Sequence, residues 1–398
     1  QKPTEELNIF LQKKNVKFVC LIGPNSTSLE NIASKCDDNF ETCFSNADSI
    51  AAILYTSGTT GQSKGAMLSH ENLFSNAKAL SEIWRFSASD ILLHILPIYH
   101  THGLFVAFNT ALVANSSIIF LDKFKPLEVI RKMKGATVVM GVPTHYIRFI
   151  QEKNLTKEST SQIRLFISGS APLSPEIHRI FFLRTGHEIL ERYGMTETSM
   201  ITSNPYDSLR KPGTVGLPLP GVEIRVVATA GAIPVTDGII GNIQVRGPNV
   251  FKGYWGITEK SKSPFTTDGY FITGDLGFID TYGYLNISGR DKDLIISGGL
   301  NVYPAEVEQV IDSIEGILES AVIGLPHKDF GEGVTAIIVF EKQRPLDEPS
   351  LQNLIRQKIA SFKVPLKIIV RKALPKNAMG KVQKKLLRNE LSSIFLDK

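Results

Sequence analysis

Three cysteines, Cys20, Cys36 and Cys43, are all that the 398 residues contain. Their spacing fits neither a disulfide framework nor a set of metal ligands. That scarcity points to a reducing compartment, the cytoplasm. The first residue is Gln, so the chain is read as lacking its original start, and an organelle address lost with that start stays compatible. There is no apolar run long enough to span a bilayer and no signal-peptide pattern, so no membrane insertion is expected. Internal repeats, low-complexity tracts, nucleic-acid motifs and aromatic runs that could stack on bases are missing too. What remains is an ordinary balance, 42% hydrophobic and 21% charged, with length for more than one domain. Charge is unevenly placed. Residues 342–398 carry 14 Lys and Arg against 4 Asp and Glu, while the whole chain nets only +5. A basic terminal segment can bind nucleic acid or a phosphorylated ligand. With no nucleic-acid motif beside it, a phosphate-bearing small molecule is the expected partner.

One stretch organises the rest: Tyr55-Thr56-Ser57-Gly58-Thr59-Thr60-Gly61-Gln62-Ser63-Lys64-Gly65. It follows a short apolar run at 51–54 that reads as a strand. It precedes residues 71–84, where Leu73, Ala77, Leu80 and Trp84 recur at helical spacing. On a strand-to-helix turn this composition suits a polyphosphate. Glycines let backbone N–H groups approach the anion, hydroxyls donate to its oxygens, and Lys64 supplies charge. It is not a Walker A loop, which wants Gly-Lys-Ser/Thr where this chain has Ser63-Lys64-Gly65.

Beyond it, strand-like runs at 92–96, 117–121, 137–141 and 164–167 alternate with helical segments, one starting at Ser174-Pro175-Glu176, a cap with Pro in the first turn. That rhythm predicts an α/β fold of helix-covered sheets. After Pro212, Gly-punctuated strands at 222–227, 241–247, 270–273 and 284–288 predict a β-rich subdomain. A polar hinge, Gly289-Arg290-Asp291-Lys292-Asp293, divides the chain into residues 1–290 and 291–398. The second part reads as a small α+β domain: helix 304–311, strands 318–324 and 335–340, helix 350–361, strand 367–370. Before the loop, 17–22 reads as a strand and 25–36 as loop and helix.

Further chemistry-bearing residues cluster at strand ends, where α/β sheets bind ligands. Pro97-Ile98-Tyr99-His100-Thr101-His102-Gly103 follows one strand; alone, its two histidines beside a glycine are more often structural or a weak metal pair, and no Asp or Cys partner stands at metal-ligand spacing. Ser168-Gly169-Ser170-Ala171-Pro172-Leu173 offers a turn of small residues against which a flat ring can lie. In Tyr193-Gly194-Met195-Thr196-Glu197, the ring can stack on a base, Thr196 can reach a phosphate, and Glu197 is a hard carboxylate suited to Mg²⁺. Asp275 in Thr273-Gly274-Asp275 can accept two ribose hydroxyls or simply form a turn. Lys381 ends Pro375-Lys376-Asn377-Ala378-Met379-Gly380-Lys381.

These motifs, in this order, resemble those of the acyl-adenylate-forming superfamily: acyl-CoA synthetases, adenylation domains and luciferases. Ser63 stands where the family usually has Pro. The resemblance runs from about residue 17 to 390 and implies a large domain lacking its front portion, followed by a small mobile one. It implies that Thr56, Ser57, Gly58, Thr59, Thr60, Gly61 and Lys64 hold phosphates. It places Gly169, Ser170, Ala171, Tyr193, Gly194 and Met195 around adenine, Asp275 and Arg290 on the ribose, and Glu197 on Mg²⁺. His100 would stand beside the acyl group and the reacting phosphate, with Thr196 on a phosphate. Lys381 would neutralise charge developing on the α-phosphate. ATP, Mg²⁺ and coenzyme A are implied, with rotation about Lys292 bringing Gly298 and Gly299 to the pantetheine channel. A carboxylate attacks ATP, pyrophosphate leaves, and a thiol displaces AMP.

For the acid, Arg192 stands where relatives taking apolar acids commonly have Gly. Arg148 and Arg210 are further candidates. A guanidinium can bind a second carboxylate bidentately. Residues 96–221 closely resemble the malonyl-CoA synthetases within the superfamily, so malonate is expected, with methylmalonate accepted if the pocket has room. A carrier-protein-loading adenylation unit, another acyl-CoA synthetase and an inactive nucleotide-binding remnant are the alternatives.

Overall fold

The computed structural model describes residues 31, 33–37, 39, 41–57, 63–228, 233–257, 263–341, 347–377 and 380–395. The strand expected at 17–22, Cys20, and the loop residues Gly58, Thr59, Thr60 and Gly61 lie outside the described residues. Two compact units divide the chain, 1–46 and 47–398. In the first, residues 31 and 33 are helical and Cys36 and Cys43 are exposed.

The second unit opens with an antiparallel hairpin, β1 (Ile50–Ser57) and β2 (Ser63–Ser69), followed by α1 (His70–Ile83). The Thr-, Ser- and Gly-rich loop therefore joins two strands; the expected strand-to-helix turn is corrected. The cause is legible in β2: Ala66 and Leu68 alternate inward, fully buried against Phe251 and Phe271, a strand period. The helix begins only at Ser69, whose side chain accepts from the Asn72 N–H in a capping box.

Next come β3 (Ile91–His94), a π-helical turn (His102–Phe108) running into α2 (Asn109–Val113), β4 (Ser117–Phe120) and α3 (Pro126–Lys132). Then follow β5 (Val138–Gly141), α4 (Pro143–Gln151), β6 (Leu165–Ser168), α5 (Pro175–Thr185), β7 (Ile189–Met195), β8 (Ser199–Ser203) and β9 (Leu217–Pro218). They form one seven-stranded sheet in the order β4-β3-β5-β6-β7-β8-β9, parallel from β4 to β7 and antiparallel beyond. Both faces are covered, so neighbouring strand residues are both apolar. Leu92, Met140, Ile167 and Leu190 pack toward Leu80 of α1 and Ala111 of α2. Leu93, Val139, Phe166 and Ile189 pack toward Val129, Phe149 and Phe181 of α3, α4 and α5. From β3 the chain goes to β4 on one side and later to β5 on the other. The carboxyl ends of β3 and β5 thus form a topological switch point, the expected crevice for a ligand.

A second sheet is antiparallel: β10 (Glu223–Val227), β11 (Gly241–Arg246), β12 (Phe271–Ile279) and β13 (Leu285–Arg290). After a 3₁₀ turn at Asp291–Asp293 come β14 (Ile295–Ser297), β15 (Leu300–Val302), α6 (Pro304–Asp312), β16 (Ile317–His327), β17 (Gly331–Phe340), α7 (Glu348–Arg356), β18 (Lys367–Val370) and α8 (Lys384–Glu390). These carry their own buried clusters, one around Val307, Val322 and Ile338, another around Ile323, Ile337 and Leu387. Helix α7 ends at Arg356 and not at 361, because Ser361–Lys363 form a separate 3₁₀ turn. Gly298 and Gly299, at φ 58° and 78°, make the two-residue turn between β14 and β15, where positive φ at both positions favours glycine.

Candidate active site

The carboxyl ends of β5, β6 and β7 and the loops after β5 and β6 line one cavity of about 380 Å³, which residues of the last sheet and its loops close from the other side. Ser168, Gly169, Ser170, Ala171, Arg192, Tyr193 and Gly194 line it together with Asp275, Arg290 and Lys381. Motifs scattered over two hundred residues of sequence meet there.

Tyr193 donates a short hydrogen bond to Asp275, and Arg290 Nε pairs with Asp275 Oδ1 at 2.6 Å. The pair follows from register, since Asp275 and Arg290 face each other across β12 and β13. Burial pushes the Asp275 carboxyl up while Arg290 pulls it back. Burial pulls Arg290 down, but Asp275 and Tyr193 outweigh it. Burial also holds Lys381 below its ordinary range, with Arg290 adding to this and Asp275 and Glu197 opposing. The Lys381 N–H donates to Asn377 Oδ1 at 3.0 Å, and Gly380 is seated so close to Thr144 of α4 that a Cβ would collide with its hydroxyl. Lys381, Asp275 and Arg290 therefore share one enclosed field.

Arg192 is 3% exposed, and its Nε and Nη2 have no hydrogen-bond partner among the described residues. Burial lowers the guanidinium to about 9, opposed by Tyr146, so it is charged at neutral pH. It lies flat against Gly169, where a Cβ would come 2.5 Å from Cζ. Around it other buried atoms lack partners: His102 Nε2 and Ser168 Oγ. His102 Nδ1 sits 3.1 Å from Ser170 Oγ, and Ser170 holds a φ of 72°, a strained conformation of the sort found at ligand clamps. Unpaired buried polar groups are rare in native proteins and call for a ligand or water. His102 was present in the motif but had no assigned role; the signal was its place two residues after His100.

His100 is half-buried, and its Nδ1 accepts from the His102 N–H at 3.2 Å. Burial, then Lys381 and Arg192, lower it to about 4. It is a neutral imidazole with its proton on Nε2. The other two arginines are elsewhere. Arg148 is exposed, with Cζ 6.0 Å from the Phe124 ring. Arg210 donates to the carbonyls of Pro205 and Tyr206 on its own loop and of Glu188 just before β7, one bond from each of its three nitrogens. Neither lines the cavity.

On the phosphate side, Glu197 is 6% exposed and accepts from the Tyr254 hydroxyl at 2.9 Å. Lys64 Nζ lies 5.1 Å from the centre of the Tyr254 ring. Thr56 Oγ1 reaches the Lys64 carbonyl at 3.5 Å, Ser57 ends β1, and Thr196 and Met195 are half-buried beside Glu197. Tyr254 was not found from the sequence; a tyrosine in an irregular loop carries no local signal. Among the described residues no group of three or more His, Cys, Asp or Glu could hold a metal alone. A single buried carboxylate fits Mg²⁺, which takes one or two carboxylates and completes its shell with phosphate oxygens and water. Lys292 is exposed on the 3₁₀ turn, and Gly298 and Gly299 are exposed and outside the cavity.

Glu191 lies at the cavity edge, 6% exposed, with Oε1 accepting from the Gly213 N–H at 3.1 Å. Burial raises its carboxyl to about 8. The folded chain keeps a proton that the unfolded chain loses near 4, so stability falls as pH rises from about 4 to about 8. Glu191→Gln should therefore melt higher than the parent, by a margin that grows across this interval and is flat above it. Thermal melts at several pH values check this.

The matched families agree with this geometry. The AMP-binding enzyme model matches residues 2–255 and the AMP-binding enzyme C-terminal domain model matches residues 306–381. The chain belongs to the AMP-binding enzyme family. It is 38% identical over 425 residues to a malonate–CoA ligase of Arabidopsis thaliana, covering 98% of this chain and 69% of that protein. It is 36% identical over 348 residues to a long-chain-fatty-acid–CoA ligase of Bacillus subtilis, covering 86% of this chain and 62% of that protein. The crystal structure of ATP-bound MatB from Rhodopseudomonas palustris superimposes with a TM-score of 0.90 at 56% identity, covering 92% of this chain and 73% of the other. No helix among the described residues is long and apolar enough to cross a membrane.

Proposed function

We propose that this chain joins malonate to coenzyme A at the expense of ATP, through a malonyl-adenylate, releasing AMP and pyrophosphate. The observation that carries the choice of acid is Arg192: a buried guanidinium with unpaired donors, flat against Gly169 in the same cavity as Lys381. Between the two curated relatives above, identity alone separates malonate from a fatty acid little, at 38% against 36%. An unpaired charge in a fatty-acid tunnel would be strongly unfavourable; opposite a carboxylate it is satisfied bidentately. His102 Nε2 and Ser168 Oγ are the neutral groups that would complete that pocket.

In the first half-reaction, one malonate oxygen bonds to the α-phosphorus of ATP and the bond to pyrophosphate breaks. Lys381, held in the field of Asp275 and Glu197, is placed to neutralise the charge that grows on the α-phosphate. His100, neutral with an Nε2 donor, orients the attacking carboxylate without competing for its charge. Asp275 holds the ribose and Tyr193 the base, while Gly169, Ser170 and Ala171 supply the wall on the other side of the base. Glu197 would hold Mg²⁺, which supplies charge neutralisation to the phosphate oxygens. In the second half-reaction the thiol of coenzyme A bonds to the acyl carbon, AMP leaves and the thiol proton is lost. Gly298 and Gly299 stand in solvent while Lys381 occupies the cavity, which supports separate arrangements of the two domains, 1–290 and 291–398, for the two halves.

A pyrophosphate-release screen over mono- and dicarboxylic acids, with and without coenzyme A, tests this. Malonate should give the highest kcat/KM, methylmalonate a lower one, and fatty acids almost none, with a thioester formed on free coenzyme A. AMP production from fatty or aromatic acids but not malonate would overturn the substrate; a product loaded only on carrier protein would overturn the acceptor.

A further inference from the structure

We infer that Tyr254 is a positioning residue, holding the Glu197 carboxylate ready for a divalent cation while its ring holds Lys64 ready for the phosphates. The inference rests on the reading of Glu197 as the metal carboxylate.

Residues 248–255 form a strap between the two sides of the phosphate site. On one side it grips Glu197 twice: the Phe251 N–H donates to the Glu197 carbonyl at 2.8 Å, and the Tyr254 hydroxyl donates to Oε1 at 2.9 Å. Asn249 Nδ2 adds bonds to the carbonyls of Thr198 and Met200, at 2.7 and 3.0 Å. On the other side the strap bonds to β2 as a short third strand. Lys252 N–H donates to the Met67 carbonyl, Met67 N–H to that of Gly253, and Trp255 N–H to that of Gly65, all between 2.8 and 3.0 Å. Tyr254 cannot swing away, because its ring packs edge-on against Phe251, itself 2% exposed. The ring then offers its face to Lys64 Nζ at 5.1 Å, an attraction of the cation–π kind. One phenol thus links the carboxylate at the end of β7 to the only lysine of the phosphate loop. Hydrogen-bond partners of metal-ligating carboxylates commonly tune metal affinity by about 10–100-fold.

Two substitutions separate the two contacts. Tyr254→Phe keeps the ring and removes the hydroxyl; Tyr254→Leu removes both. Enzyme-dependent Mn²⁺ binding in the presence of ATP is followed by electron paramagnetic resonance, alongside the Mg²⁺ dependence of pyrophosphate release. Tyr254→Phe should bind Mn²⁺ about 10–100-fold more weakly, need proportionately more Mg²⁺, recover its kcat at saturating Mg²⁺, and keep the parent KM for ATP. Tyr254→Leu should add a raised KM for ATP. Parent-like Mn²⁺ binding by Tyr254→Phe, or a rate deficit that no Mg²⁺ concentration restores, overturns the inference and leaves the ligase reading standing. An unsubstituted enzyme that binds Mn²⁺ no better with ATP than without overturns the assignment of Glu197, and the inference with it.

Discussion

Replacing Arg192 by methionine should give a protein that melts at a higher temperature and scarcely uses malonate. Both effects have one cause. In the ligand-free state the guanidinium is buried with unpaired donors, an arrangement that destabilises the fold by several kcal/mol in comparable cases. Methionine fills similar volume without a charge to desolvate. Melting should rise by about 1–2 °C for each kcal/mol relieved. On the proposed function the same charge binds the second carboxylate, and sites built around a charged or hydrogen-bonding partner discriminate by large factors. We expect kcat/KM for malonate to fall about 10³-fold, while a short monocarboxylate loses little. Melting curves and steady-state kinetics with both acids check the prediction. An unchanged kcat/KM for malonate would remove Arg192 from the acid pocket.

Lys381→Ala should separate the two half-reactions. Loss of one preorganised charge at the developing oxyanion slows a reaction by about 10²–10³-fold, and that loss should fall on pyrophosphate release from ATP and malonate. Thioester formation from supplied malonyl-adenylate and coenzyme A should proceed at the parent rate, because the lysine then has no phosphate attack to assist. Equal losses in both assays would mean that Lys381 acts through folding or nucleotide binding generally. The melting temperature should change little, since Lys381 lies on a loop outside the buried clusters.

Where the sequence was readable, periodicity or punctuation made it so. The strands that became β3 to β6 are short apolar runs, and α5 announced itself by Ser174 and Pro175. The cavity motifs could be named because small residues and charges stand at strand ends. What escaped has physical reasons. β2 looks polar at its start, with Ser63 and Lys64, and its inward pair of Ala66 and Leu68 is too short to reveal a period of two. The resemblance set Arg192 apart from Arg148 and Arg210, but burial and hydrogen bonding are what separate an unpaired cation from an exposed one and from one bonded to carbonyls. Tyr254 was invisible because its value lies in a partner distant along the chain.

That distance bears on the order in which the molecule is assembled. Asn72 Nδ2 bonds the carbonyls of Pro248 and Val250 across separations of 176 and 178 residues, and the outer edge of β2 is completed only by the segment ending at Trp255. During synthesis the hairpin stays half-made until the segment ending at Trp255 has emerged. Any fragment ending before that segment leaves a bare strand edge, the kind of surface that invites pairing with other chains. The nucleotide site is thus among the last parts to close, and ATP cannot act as an early template for folding.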